Sequence, residues 1–205
     1  MANTITLVRL LLLFIVLWLV HWTTGWLKLA TMVLLIIVFV SDAFDGYVAR
    51  KFNESSAFGA MFDIAVDRIT ELALWVVYAS LDMVPVWMPV VFIVRGSLVD
   101  AIRAQQSTLT GKQPFELASH PLAQWLVAGR FMRGFYAAMK GIAFCWLLLS
   151  QGVADLVPGF WAGWGWLMDG IGVVLIYTIV ILCVLRGLPV IVEFLVNQNR
   201  GQEEP

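Results

Sequence analysis

The sequence has 205 residues, a natural length for one domain. Apolar residues make up 61% of it and charged residues only 13%. An ordinary water-soluble domain sits near about half apolar and about a quarter charged, so that class is excluded. The formal net charge of -1 supplies no basic field for nucleic acid.

Six apolar segments follow one another, at 6–22, 27–50, 58–81, 84–104, 122–149 and 161–195. Each has about the length needed to cross a bilayer as a helix. They are too long for barrel strands, and lipid leaves no unpaired backbone group cheap. The expected fold is therefore all-α, a polytopic membrane protein with six transmembrane helices. It forms one domain over 1–197, followed by a polar tail at 198–205.

The first segment is expected to be retained rather than cleaved. Only Arg9 precedes its apolar run, and no small-residue cleavage pattern follows before His21, Trp22 and Trp26. The last segment contains Pro189, which predicts a kink or an interfacial end. Cys145 and Cys183 lie in apolar runs without metal-ligand spacing and read as small buried hydrophobes. His21 and His120 are assigned no chemical role.

Basic residues set the expected orientation. Arg50 and Lys51 lie at the link between segments two and three, and Lys112 at the link between four and five with Arg103 nearby. The opposite links carry Asp82 and Asp155, with Lys28 nearby. The positive-inside rule then places both termini in the cytoplasm. Trp26, Trp87, Trp161, Trp164 and Trp166 would belt the outer interface.

The chemistry is expected where acids enter apolar helices. Asp42 and Asp45 close the second segment, three apart; Asp63 and Asp67 open the third, four apart. Each pair shares a helix face. The short polar link at 51–57 makes the two helices antiparallel neighbours, so the four acids converge near the cytoplasmic surface. Charges at membrane depth are costly and mark sites.

Four converging carboxylates need compensating positive charge. Either divalent ions supply it, or Arg50 and Arg68 pair with the acids as structural salt bridges. An all-oxygen donor set would suit magnesium or manganese rather than zinc. Gly46, Ala49, Gly59 and Ala60 flank the acids; they allow close helix approach and also leave room for a flat ligand.

From Asp42 to Asp67 the chain reads DAFDGYVARKFNESSAFGAMFDIAVD, with the form D-x2-D-G-x2-A-R-x8-G-x3-D-x3-D. This resembles the signature of the CDP-alcohol phosphatidyltransferase family at every fixed position and gap. The opening NTITLVR is similar to the family's N-x-x-T-x-x-R stretch. The resemblance implies two divalent ions, Mg2+ or Mn2+, per active site, held by Asp42, Asp45, Asp63 and Asp67.

It implies Asp67 as the general base. It also implies a CDP site formed by Asp42, Gly46, Ala49, Arg50, Gly59 and Asp63, with Arg50 near the diphosphate. Family members are usually homodimers whose cavities open to the cytoplasm and the lipid. The implied reaction moves a phosphatidyl group from CDP-diacylglycerol to a small alcohol. The acceptor hydroxyl attacks the lipid-side phosphorus directly and CMP leaves.

Basic residues in the second half point to a phosphorylated acceptor: Arg95, Arg103, Arg130, Arg133 and Lys140. Arginine forks suit phosphate oxygens. Alternatively, Arg103 and Arg133 snorkel or pair with Asp100 and Glu71. Glycerol 3-phosphate is the leading acceptor, although the G-K-x-K-T-like stretch common in that branch is replaced by GRFMRGFYAAMK. The Asp67-Arg68 pair, common in inositol-type members, makes inositol 1-phosphate the runner-up. Glu71 continues the Asp63 and Asp67 face and is expected to orient Arg68. The rival from another class is an ion-coupled transporter built on the same intramembrane acids.

Overall fold

The computed structural model describes residues 2–52, 57–110 and 129–201. The described residues form six helices and no strand: α1 (Ala2–Trp22), α2 (Trp26–Phe52), α3 (Ala57–Ser80), α4 (Trp87–Thr110), α5 (Arg130–Leu156) and α6 (Pro158–Gly201). The part of the fifth apolar segment at 122–128 lies outside the described residues.

Apolar runs define the middles of these helices, and polar helix formers carry them further. α4 continues past residue 104 through Gln105, Gln106, Ser107 and Thr108, and α6 reaches Gly201 rather than stopping near 197. Gln, Lys and Arg cost little in a helix, so the end of an apolar run need not end the helix. α6 also passes through Pro189 as one helix of 44 residues. Ser and Thr are satisfied locally in this apolar setting: the hydroxyls of Thr23, Thr31, Ser41, Thr70 and Thr178 each donate to the carbonyl four residues back.

The surface is strongly apolar. Trp18, Trp22, Trp26, Phe131 and Trp166 each expose more than 60% of their area. Large apolar side chains exposed in such number are unfavourable in water, whereas lipid welcomes them. Among the described residues, Phe131–Leu156 and Pro158–Val196 are long and apolar enough to cross a membrane, and Thr6–Trp22 is a shorter apolar run. α3 misses that standard because Asp63, Asp67, Arg68 and Glu71 interrupt it.

The chain divides into two compact units. The first comprises 1–89 and 141–173, and the second 90–140 and 174–205. In the first unit α1 packs against both α2 and α3. Its buried residues include Leu13, Val16, Leu35, Val38, Leu74, Phe144 and Leu148.

The Phe144 ring meets Trp75 edge-on at 4.8 Å and Tyr78 edge-on at 5.3 Å, and stacks on Phe39 at 6.4 Å. These are favourable aromatic geometries. The buried Tyr78 hydroxyl donates to the Phe144 carbonyl at 2.9 Å, so the polar end of the ring is satisfied. At the other end of this unit, Gly25 turns the chain between α1 and α2 with φ +56°. Its N–H donates to Asp155 Oδ2 at 3.0 Å, and Lys28 Nζ donates to Gln151 Oε1 at 2.6 Å. Two connections that the charge pattern assigned to one side of the membrane are thus joined.

Candidate active site

The acids of α2 and α3 meet on a residue of α1. Arg9 is 2% exposed, lying on the α1 face that packs against α2 and α3. Its Nη2 donates to Asp63 Oδ1 at 2.9 Å, and its Nη1 forms an ion pair with Asp42. A guanidinium suits this bridge, because it is planar, permanently charged and offers donors on two edges. The two carboxylates remain 41% and 43% exposed, so each keeps an open side. One positive charge shared between two carboxylates leaves negative charge on the pair.

Asp67 follows Asp63 by one helical turn and is exposed. Arg68 Nη1 lies 3.8 Å from Glu71 Oε2, the acid that continues the Asp63 and Asp67 face of α3. The structural alternative to metal compensation named Arg50, whose side chain lies outside the described residues, and Arg68, but not Arg9. Arg9 supplies the charge. A signal for it was present: an arginine within an apolar helix needs a carboxylate partner.

Gly59, at the start of α3, is partly buried. The side chains of Asp45, Gly46, Ala49 and Arg50 lie outside the described residues, as do those of Arg103 and Arg130. Among the described residues no group of three acids, histidines or cysteines gathers closely enough to hold an ion. Asp42 and Asp63 nevertheless fit a hard divalent cation in chemistry, since they present only carboxylate oxygens with open sides and incomplete charge compensation.

The basic residues of the second half lie in the second unit. Arg95 on α4 lies across α6 at Gly187, and its buried Nε has no hydrogen-bond partner. It borders an apolar groove of about 280 Å³ lined by Val90, Val94, Leu98, Val184 and Leu188. On α5, Met132, Tyr136 and Lys140 recur every four residues and share a face. Lys140 Nζ stands 4.7 Å from the Tyr136 ring centre.

Arg186 of α6 reaches the same ring at 5.0 Å, and its Nη1 donates to the Met132 carbonyl at 2.6 Å. Cations over a tyrosine face are favourably placed. Arg186 was missed by sequence reasoning, although it is a lone charge in the run VILCVLRGLPV. Arg133 is exposed on α5.

The sequence profile described as CDP-alcohol phosphatidyltransferase matches residues 1–185. The chain belongs to the CDP-alcohol phosphatidyltransferase family, and it is a membrane-embedded, all-helical phosphatidyltransferase. The transporter reading of its acids is set aside.

Several relatives carry named activities. The CDP-diacylglycerol--glycerol-3-phosphate 3-phosphatidyltransferase of Bacillus subtilis is 29% identical over 160 residues, covering 60% of this chain and 83% of the relative. The enzyme of the same name from Rickettsia typhi is 25% identical over 103 residues, covering 50% and 58%. The CDP-diacylglycerol--inositol 3-phosphatidyltransferase 1 of Arabidopsis thaliana is 43% identical over 49 residues, covering 24% and 22%.

Proposed function

We propose that this enzyme transfers the phosphatidyl group of CDP-diacylglycerol to glycerol 3-phosphate and releases CMP. The observation that carries the chemistry is the meeting of Asp42 and Asp63, from two helices, on one buried guanidinium. That meeting holds two signature aspartates beside each other with open sides. The names of the Bacillus and Rickettsia relatives support glycerol 3-phosphate as acceptor. The local identity to the Arabidopsis enzyme supports a second reading, an inositol-type acceptor such as inositol 1-phosphate.

In this reading Asp42, Asp45, Asp63 and Asp67 would hold two Mg2+ or Mn2+ ions, which would supply positive charge to the pyrophosphate and to the leaving CMP. Asp67 takes the proton of the acceptor hydroxyl as the oxygen attacks the lipid-side phosphorus. The new P–O bond forms as the bond to the CMP oxygen breaks. Gly46, Ala49 and Gly59 leave room for the cytidine, and Arg50 holds the diphosphate.

Arg95, Arg103, Arg130, Arg133 and Lys140 are the candidates to hold the acceptor phosphate. Arg186 joins them because, like Lys140, it stands over the Tyr136 ring. The family resemblance and the basic-residue pattern support a homodimer with cytoplasmic termini and sites.

The test is CMP release by purified protein given CDP-diacylglycerol, magnesium or manganese, and one acceptor at a time. Release with glycerol 3-phosphate alone is expected. Release only with inositol 1-phosphate would keep the mechanism and replace the acceptor.

A further inference from the structure

We propose that Arg9 is a built-in counter-cation: its guanidinium, bridging Asp42 of α2 and Asp63 of α3, holds both carboxylates when no divalent ion is bound and competes with the ion for them. This rests on the reading that Asp42 and Asp63 are ion ligands, and adds to it a control on occupancy.

Three observations carry the inference. The guanidinium is 2% exposed, while its two partners are each about two-fifths exposed. The cation therefore occupies the protein side of both carboxylates, and the opposite side stays open to an incoming ion. The partners come from different helices, so the bridge fixes the spacing of α2 and α3 at the acids. Finally, Arg9 Nε is buried without a hydrogen-bond partner. The arginine thus relies on these two acids for its compensation, and a buried charge holds such partners firmly.

Two cations that share the same carboxylate pair are linked reciprocally. Whatever the Arg9 bridge contributes to the ion-free protein, it removes from ion binding. The positive charge also repels an arriving divalent cation whether or not the side chain moves. A purely structural arginine behaves differently: its loss loosens the site and weakens ion binding. The sign of the affinity change separates the two roles.

The experiment is a Mn2+ titration of metal-stripped protein in bilayer discs, reading free Mn2+ by electron paramagnetic resonance. Arg9→Gln is expected to bind Mn2+ about tenfold more tightly than the parent, a typical size for coupling between sites. Its unfolding temperature without ion should fall below that of the parent, and saturating Mn2+ should narrow the gap. Arg9→Lys keeps the charge but not the fork, and should fall between the two in both measurements.

Asp42→Asn and Asp63→Asn test the underlying reading. If neither weakens Mn2+ binding, the ligand assignment fails and the Arg9 proposal falls with it. If they do weaken it, while Arg9→Gln binds Mn2+ equally or less tightly, the ligand reading stands and the proposal is overturned. Should Arg9→Gln not fold, Arg9→Lys decides by the same criterion.

Discussion

Arg95 lies so close to Gly187 that a Cβ on the glycine would stand 2.8 Å from Arg95 Cγ and 2.9 Å from its Nε. Glycine at 187 is what lets an arginine of α4 lie against the backbone of α6. Gly187→Ala must therefore push the arginine aside. If Arg95 holds the acceptor phosphate, the loss of one charge-assisted hydrogen bond should raise the acceptor KM by roughly tenfold to a hundredfold. The KM for CDP-diacylglycerol should change little. Steady-state CMP release against acceptor concentration reads both.

Asp67→Asn removes a base but keeps the shape of the side chain. General-base catalysis contributes typically about a hundred- to ten-thousandfold, so kcat should fall by that much. Binding of CDP-diacylglycerol should persist, measured by quenching of a labelled lipid analogue. Normal turnover in this variant would remove Asp67 from the role of base.

The Arg9 bridge makes the acids structural as well as chemical. Replacing Asp42 and Asp63 together by Asn leaves a buried guanidinium without ionic compensation. The ion-free protein should then lose about 1–3 kcal/mol of stability, the cost of an unsatisfied buried donor, and unfold at a lower temperature. Adding Arg9→Gln to that double variant should recover part of the loss. Residues that interact directly give such non-additive cycles, and independent ones do not.

The aromatic cluster of the first unit offers a contrast. Tyr78→Phe leaves the packing on Phe144 intact and removes one buried hydrogen bond. A loss of about 1 kcal/mol in stability is expected. Phe144→Ala empties the space between Trp75, Tyr78 and Phe39, and about 3–5 kcal/mol is expected. Specific activity per folded molecule should hold in Tyr78→Phe, checked by activity after size-exclusion selection.

The sequence marked the helices because lipid demands long apolar runs, and those runs are visible without any partner. Their ends were less visible. α4 begins at Trp87, after Pro85, three residues later than the apolar run, and it ends well beyond it. Proline resists a helix interior, while glutamine extends one readily.

The acids were legible because charge is expensive in lipid, and their spacing alone put Asp63 and Asp67 on one face. Arg9 was not legible as their partner, since it lies 33 residues before Asp42 and 54 before Asp63. Only packing α1 against both helices joins them. Arg186 escaped for the same reason: its partners, Met132 and Tyr136, belong to another helix.

Phe144 completes the socket formed by Phe39, Trp75 and Tyr78, yet it follows them in the chain across the whole first stretch of the second unit. At ordinary rates of synthesis the ribosome needs on the order of seconds to cover that distance. During that interval the first three helices exist with their central aromatic cleft unfilled. The nascent protein therefore has a defined moment of greatest exposure to wrong neighbours, and it ends only when the fifth helix leaves the ribosome.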